Sequence, residues 1–576
     1  MNQKLENILN VSLDATEDEL RKADSLSTGY NWRDNTWEII VKYSGSLESI
    51  RNRYNVYIKE LLNYYAIIVA DKATIELISQ EDVIDYVEKP KSLYYQIERT
   101  KTAACVGSVR ADGNILSGKG VIVGVIDTGI DIFDNAFRNS DGTTRILNIY
   151  DQTTGEKYDK QSIDEYIRLN EDLSGGTFSY DNAPGVDNIM HGTDVSYIAA
   201  GSLGVAYEAD IIAVKMGYSI NNQFPRTTSL MDAIDYIIRK AIEYRKPVAV
   251  NISYGCNYGA HNGNTLLESF IDDISKSYRC VICVGSGNEA DKAIHFGGII
   301  NTGQVQTAYL SVGEYQSAID IQIWKNYWDT IDVMLINPRG EQIGIITEGR
   351  INRYETYNTE IITLFGEPSP YNIYQEIYIN LIPKTDYILS GIWQIVLMAG
   401  SIRAGEYNIW LPSSQALGYA TAFNNPTADG TITIPATARN CIAVGAYNAY
   451  TNSYAAFSGR GFDNSIRNVN AGVKPDITAP GVDISIARQR GNDITYRNVT
   501  GTSYAVPVVT GAAALLMQWG IVMGNDRFMY GEKLKAALIN GSKPVGLVGI
   551  TRNDNQPDPR TGWGAVCLKN TLNKIL

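Results

Sequence analysis

The stretch TGTSYAVPVVTGAAALLMQ, Thr500 to Gln518, decides how the rest of the chain is read. A Gly-Thr-Ser turn runs into an Ala-, Val- and Leu-rich segment, which is how a buried helix opens. Hydroxyl side chains favour that end because they satisfy backbone N–H groups left unpaired in the first turn. Pro507 is tolerated only in the first turn, so the helix should begin near Ser503. Taken alone, Ser503 is either a structural cap or a nucleophile. A nucleophile requires a base, an orienting carboxylate and an oxyanion site elsewhere in the chain.

The 576-residue chain is 44% hydrophobic and 20% charged with a net charge of −13, a globular composition. Its length suggests about three to four domains. The acidic balance argues against nucleic acid, which needs a basic footprint, and against an anionic membrane surface. The N-terminal MNQKLENILNVSLDATEDEL has no uninterrupted apolar core and no small-residue cleavage site. No secretory signal is expected there, and synthesis in a reducing cytoplasm follows. No run is expected to reach the roughly 20 apolar residues of a membrane helix. Cys280 and Cys283 form a C-x-x-C, but on a strand they face opposite ways, so neither zinc nor redox chemistry follows. Buried free thiols are expected for these and for Cys105, Cys256, Cys441 and Cys567.

Residues 1–96 alternate as strand, helix, two strands, helix, strand, a ferredoxin-like α+β unit. From 97 to 300 near-continuous apolar runs alternate with helices: VIVGVID, DIIAVKM, VAVNISY and CVICVGS. These read as parallel strands covered on both faces, with chemistry at their carboxyl ends. MDAIDYIIRKAIEY carries apolar residues at helical spacing, at Met231, Ile234, Ile238 and Ile242. From 301 to 425 the rhythm becomes short alternating strands broken by turns, an antiparallel jelly-roll-like sandwich. Parallel-type strands resume over 426–576. The expected architecture is therefore a doubly wound α/β sheet with an N-terminal α+β unit and an inserted β-sandwich. Tyr309, Trp324, Trp328, Trp393 and Trp410 permit a carbohydrate-binding reading of the sandwich, although strand aromatics are more often core. A rigid brace against its neighbours is the preferred reading.

VIVGVIDTGID ends a buried strand on Asp127, costly unless the carboxylate is paired. NIMHGTDVSYIAAG places His191, one of only three histidines, at a helix start. VICVGSGNEAD supplies Asn288 after another buried strand. Each has a structural reading: a cap, a helix-start histidine, a turn. Together with Ser503 they also supply what acyl transfer needs. Asp127 would orient the imidazole, His191 would take the serine proton, and Asn288 with the Ser503 N–H would meet an oxyanion.

The blocks DTGID, HGT, SGNEA and GTSYAVP, in that order, resemble the signature blocks of subtilisin-like serine proteases, the subtilases. KPDITAPG and GWGAV add to the resemblance. It implies a subtilisin-like fold, a catalytic triad of Asp127, His191 and Ser503, and an oxyanion donor at Asn288. It also implies that Ser253, Tyr254 and Gly255 form an edge pairing with extended peptide substrate, so the partner is a protein or peptide. Residues 1–96 then correspond to a prosegment that assists folding, inhibits, and stays bound after cleavage. Self-cleavage is expected after Gln96, behind the extended SLYYQ. No cofactor or metal is expected, since Ala136 in DNAF cannot ligate where family members often hold calcium. Two further departures stand out. Asp194 occupies the place of a second, structural histidine, so the packing beneath His191 must differ, and Tyr504 replaces a common methionine. The architecture is similar to the clostridial Csp germination proteases, which activate a cortex-degrading enzyme precursor by limited proteolysis. The resemblance therefore implies a spore-associated protease, whereas some relatives have lost triad residues and act as signalling pseudoproteases.

Overall fold

The computed structural model describes residues 2–91, the strands Tyr94–Tyr95 and Arg110–Ala111, and residues 114–171, 183–217, 224–462, 473–490, 493–546 and 557–575. Gln96, the expected cleavage position, and Cys105 lie outside the described residues.

The central sheet carries parallel strands in the order Ile146–Asp151, Asp210–Lys215, Ile122–Asp127, Val248–Ile252, Cys280–Gly285 and Ile442–Asn448. The strand Ile146–Asp151 was not foreseen, because its alternating RILNIYD lacks the continuous apolar run of its neighbours. Helices Thr227–Tyr244 and Leu266–Ser277 cover one face, and Thr502–Met517 covers the other. On the first of these, Met231, Ile234 and Ile238 are buried as expected, whereas Ile242 is half exposed near the helix end. Cys280 packs among the first group of helices and Cys283 beneath the last, so the two thiols do lie on opposite faces. Both are free and buried, and burial raises each thiol to about 12.

The segment Thr502–Val522 has a mean hydropathy of 1.7 and is 83% buried. The expectation that no run is long and apolar enough to cross a membrane is thereby corrected. The small residues Gly511, Ala512 and Ala513 let this helix sit directly on the sheet and on its neighbours. A Cβ on Gly511 would lie 2.5 Å from Val205.

The N-terminal unit has the strands Thr36–Tyr43, Tyr57–Glu60, Tyr65–Ala70 and Ile84–Glu88 with helices Glu48–Tyr54 and Lys72–Ile78. Three short helices over residues 7–27 precede it and were not read from the sequence. The sandwich consists of a six-stranded and a five-stranded antiparallel sheet. Its first strand, His295–Ile299, begins before the expected boundary at 301 and pairs with Glu406–Trp410 near the sandwich's other end. Trp393 and Trp410 are core residues; Tyr309 and Trp328 are exposed.

The sandwich and the N-terminal unit share one hydrophobic core. Ile362, Leu364, Tyr378 and Ile382 of the former pack among Leu9, Leu20, Ile39 and Ile68 of the latter. Arg353 reaches across to Asp14 (2.7 Å) and Glu19 (3.0 Å). The same seam buries Glu376, which accepts hydrogen bonds from Asn7 (3.1 Å) and Gln322. Burial pushes Glu376 up from 4.5 to about 7, with the Glu6 charge adding to the rise. A carboxyl that binds its proton more tightly folded than unfolded loses stabilising power as pH rises between those values. Stability of this seam should therefore fall from pH 5 to pH 7, read as a falling urea midpoint. Glu376→Gln should flatten that slope, and an unchanged slope would contradict the assignment.

Candidate active site

Asp127 is the last residue of a strand in the middle of the parallel sheet, with parallel partners on both sides. Its carboxylate is 1% exposed. Oδ1 accepts from the Thr128 N–H at 2.8 Å and from His191 Nδ1 at 2.6 Å. Donation by Nδ1 fixes the tautomer and makes Nε2 the basic nitrogen. Burial alone would lower the His191 pKa, but the Asp127 hydrogen bond and the charges of Asp127, Asp194 and Asp187 outweigh it and raise it.

His191 opens the helix His191–Ala200, and Met190 before it is in the left-handed region at φ 68°. Asp187 holds this turn: Oδ1 accepts from Met190 N (2.7 Å) and Thr128 Oγ1 (2.7 Å), Oδ2 from Thr193 N (2.8 Å). Sequence reading missed Asp187, although an acidic residue just before a helix start is a recognisable N-terminal signal. Thr128 then accepts from the Gly192 N–H at 2.9 Å, so strand end and helix start form one hydrogen-bonded unit.

Ser503 lies in the first turn of Thr502–Met517 and is fully buried. Its neighbour Tyr504 packs its ring 5.3 Å from the His191 ring, so the two helix starts are in contact. Ser253 Oγ donates to the Ser503 carbonyl at 3.3 Å, and Asn251 in turn donates to Ser253 at 3.1 Å. Asn288 Oδ1 accepts from Thr502 N (3.0 Å) and Thr502 Oγ1 (3.1 Å). Those contacts leave its Nδ2 buried without a hydrogen-bond partner among the described residues. An unsatisfied buried amide donor costs about 1–3 kcal/mol and needs an acceptor to explain it. Next to it, burial raises Glu289 to about 7, and Glu289 accepts from the sandwich's Ser414 N–H at 3.1 Å.

Tyr254 and Gly255 form a short strand paired antiparallel with Tyr95 and Tyr94. The chain leading to that tail is anchored on two helix starts. The Lys91 carbonyl accepts from the Thr227 N–H at 2.7 Å, the Lys91 N–H donates to Thr227 Oγ1 at 2.8 Å, and Glu88 accepts from Leu266 N at 2.8 Å. The structure thus brings Asp127, His191, Ser503, Asn288 and Ser253–Gly255 to the carboxyl ends of neighbouring strands.

The sequence matches the model of the subtilase family over residues 118–369 and 404–564, and that of the Csp protease B prodomain over 3–91. The chain belongs to the subtilase family. The solved structure of the Clostridium perfringens CspB protease is similar to it at 34% identity and a TM-score of 0.72. That likeness covers 79% of this chain and 93% of the other. A subtilase-type proteinase, RRT12, of Saccharomyces cerevisiae is 33% identical over 22% of this chain. Subtilisin-like protease 10 of Arthroderma otae is 34% identical over 21%. The chain spans only about a quarter of these two curated relatives, 23% and 27% of their lengths.

As a subtilase, the chain owes its HGT block to packing as much as to chemistry. A Cβ on Gly192 would stand 2.3 Å from the Gly129 carbonyl and 2.9 Å from Asp127 Cβ. Gly192→Ala should therefore push Asp127 from His191 without removing a reacting group. Peptidase activity is expected to fall at least about 100-fold. Activity within twofold of wild type would contradict this geometry.

Proposed function

We propose that this subtilase is a serine endopeptidase that cuts its own N-terminal prosegment near Gln96 and keeps it bound. The observation that carries the reading is the antiparallel pairing of Tyr94–Tyr95 on Tyr254–Gly255, an edge whose preceding residue, Ser253, donates to the Ser503 carbonyl. An extended strand laid on that edge is held by main-chain hydrogen bonds, as a bound peptide substrate would be.

In the proposed mechanism His191 Nε2 takes the proton of Ser503 Oγ as the oxygen attacks the carbonyl of the scissile bond. Asp127 holds the imidazole in its tautomer and stabilises the imidazolium. Asn288 Nδ2 and the Ser503 N–H donate to the oxyanion. His191 returns the proton to the leaving amine, and water then hydrolyses the acyl-enzyme by the same route.

Retention of the prosegment is supported by the core it shares with the sandwich and by its contacts with the two helices Thr227–Tyr244 and Leu266–Ser277. The likeness to the CspB protease extends the proposal to limited proteolysis of a protein precursor, such as a spore cortex-lytic enzyme during germination. A quiet pseudoprotease with a signalling or binding role is the alternative, and the complete set of Asp127, His191, Ser503 and Asn288 favours the enzyme.

Intact masses of wild type and Ser503→Ala under denaturing conditions test the reading. Wild type is expected to split near residue 96 and the variant to stay whole. Identical splitting of both would assign the cut to another protease, and two whole chains would favour the pseudoprotease. Asn288→Ala should slow self-cleavage about 100- to 1,000-fold, the loss established for the equivalent donor in subtilisin. An unchanged rate would remove Asn288 from the oxyanion site.

A further inference from the structure

Asp194 stands one turn after His191 on the same helix and is completely buried. A carboxylate there is tolerable only with charge partners. Both come from one hairpin, Ile484–Arg490 paired with Asp493–Val499. Arg488 directs Nε (3.1 Å) and Nη2 to Asp194 Oδ1, and Arg497 Nε lies 3.3 Å from Oδ2. Arg488 Nη2 also donates to the Met190 carbonyl at 3.0 Å, the same carbonyl that accepts the Asp194 N–H at 3.2 Å. One guanidinium thus pins both the residue before His191 and the residue one turn beyond it. The hairpin then passes through Thr500 and Gly501 straight into the helix that carries Ser503.

We propose that Asp194, Arg488 and Arg497 are positioning residues that fix the orientation of His191 and tune its charge state, coupling the histidine helix to the serine helix. The inference rests on His191 acting as the base proposed above.

The groups facing His191 come from every element packed on it. They are Asp127 from the strand, Asp187 from the preceding loop, Asp194 from its own helix with Arg488 and Arg497 of the hairpin paired to it, and Tyr504 from the serine helix. Burial pushes the Tyr504 hydroxyl well up, so it stays neutral. Burial also raises Asp194, but Arg488 and Arg497 oppose this rise. Removing the Asp194 charge takes away a carboxylate that favours the imidazolium and leaves two guanidiniums uncompensated against the same helix, which disfavours His191 protonation. Removing Arg497 leaves the Asp194 charge less compensated and favours protonation. A purely structural cluster would not move His191 in opposite directions.

The test is a histidine titration of the full chain carrying Ser503→Ala, with carbon-13 at Cε1. Only three histidines contribute, and His261→Gln and His295→Gln assign the other two signals. Asp194→Asn is expected to lower the His191 midpoint by about half a pH unit or more, and Arg497→Gln to raise it by a similar amount. Arg497→Lys should restore it. Unshifted His261 and His295 signals report an intact fold. Should Asp194→Asn not fold, Arg497→Gln decides, since the Arg497 side chain is 41% exposed. One midpoint shared by all variants, or shifts in the same direction, overturns the proposal. The readout needs no catalysis: opposite shifts in a chain whose Ser503 form never self-cleaves would uphold the charge coupling and sink the protease reading.

Discussion

A carboxylate at the end of a buried central strand is the constraint around which this molecule is arranged. A carboxylate only 1% exposed, as at Asp127, is costly unless donors surround it. Thr128 and His191 supply them, and His191 can do so only if its helix starts at one place. Asp187 and Arg488 hold that start from opposite sides. The apolar helix Thr502–Met517 then packs Tyr504 against the imidazole and carries Ser503 in the same first turn. Electrostatics orders the site, while close packing of small residues makes it possible.

The N-terminal unit and the sandwich are two further layers on the same principle. Glu88 sits at the start of helix Leu266–Ser277, where the unpaired N–H groups and helix dipole favour a negative charge. The sandwich reaches the other side of the site through Ser414 and Glu289, next to Asn288. It also shares a core with the N-terminal unit. Three bodies therefore meet with buried apolar and charged seams, which is how a prosegment can remain docked after its peptide link to the rest is cut.

Much of this was legible in the sequence because it depends on local pattern. Continuous apolar runs gave five of the parallel strands, and alternating runs gave the sandwich. Asp127, His191, Asn288 and Ser503 stood out as chemistry-bearing residues at strand–helix junctions. What escaped reading depends on pairing at a distance. Ile146–Asp151 is buried in the sheet despite its mixed sequence, because its neighbours supply the context. Asp187 accepts from five backbone and side-chain donors, on Thr128, Ile189, Met190 and Thr193, that only the folded turn brings together. Asp194 was visible as a departure from the family pattern, but its partners lie some three hundred residues away, so only the fold reveals Arg488 and Arg497. The apolar length of Thr502–Val522 was under-read because alanine and glycine look weakly hydrophobic one at a time.

The central claim is that the tail after Lys91 occupies the substrate edge and is cut there by Ser503. Sequencing the N-terminus of the large fragment produced by the wild-type chain tests it most directly. A new N-terminus at Ile97, or within two residues of it, is the result this account requires. A new N-terminus well inside residues 1–91, or beyond residue 114, would mean that the bond cut is not the one the Tyr94–Tyr95 pairing presents, and the account would be wrong.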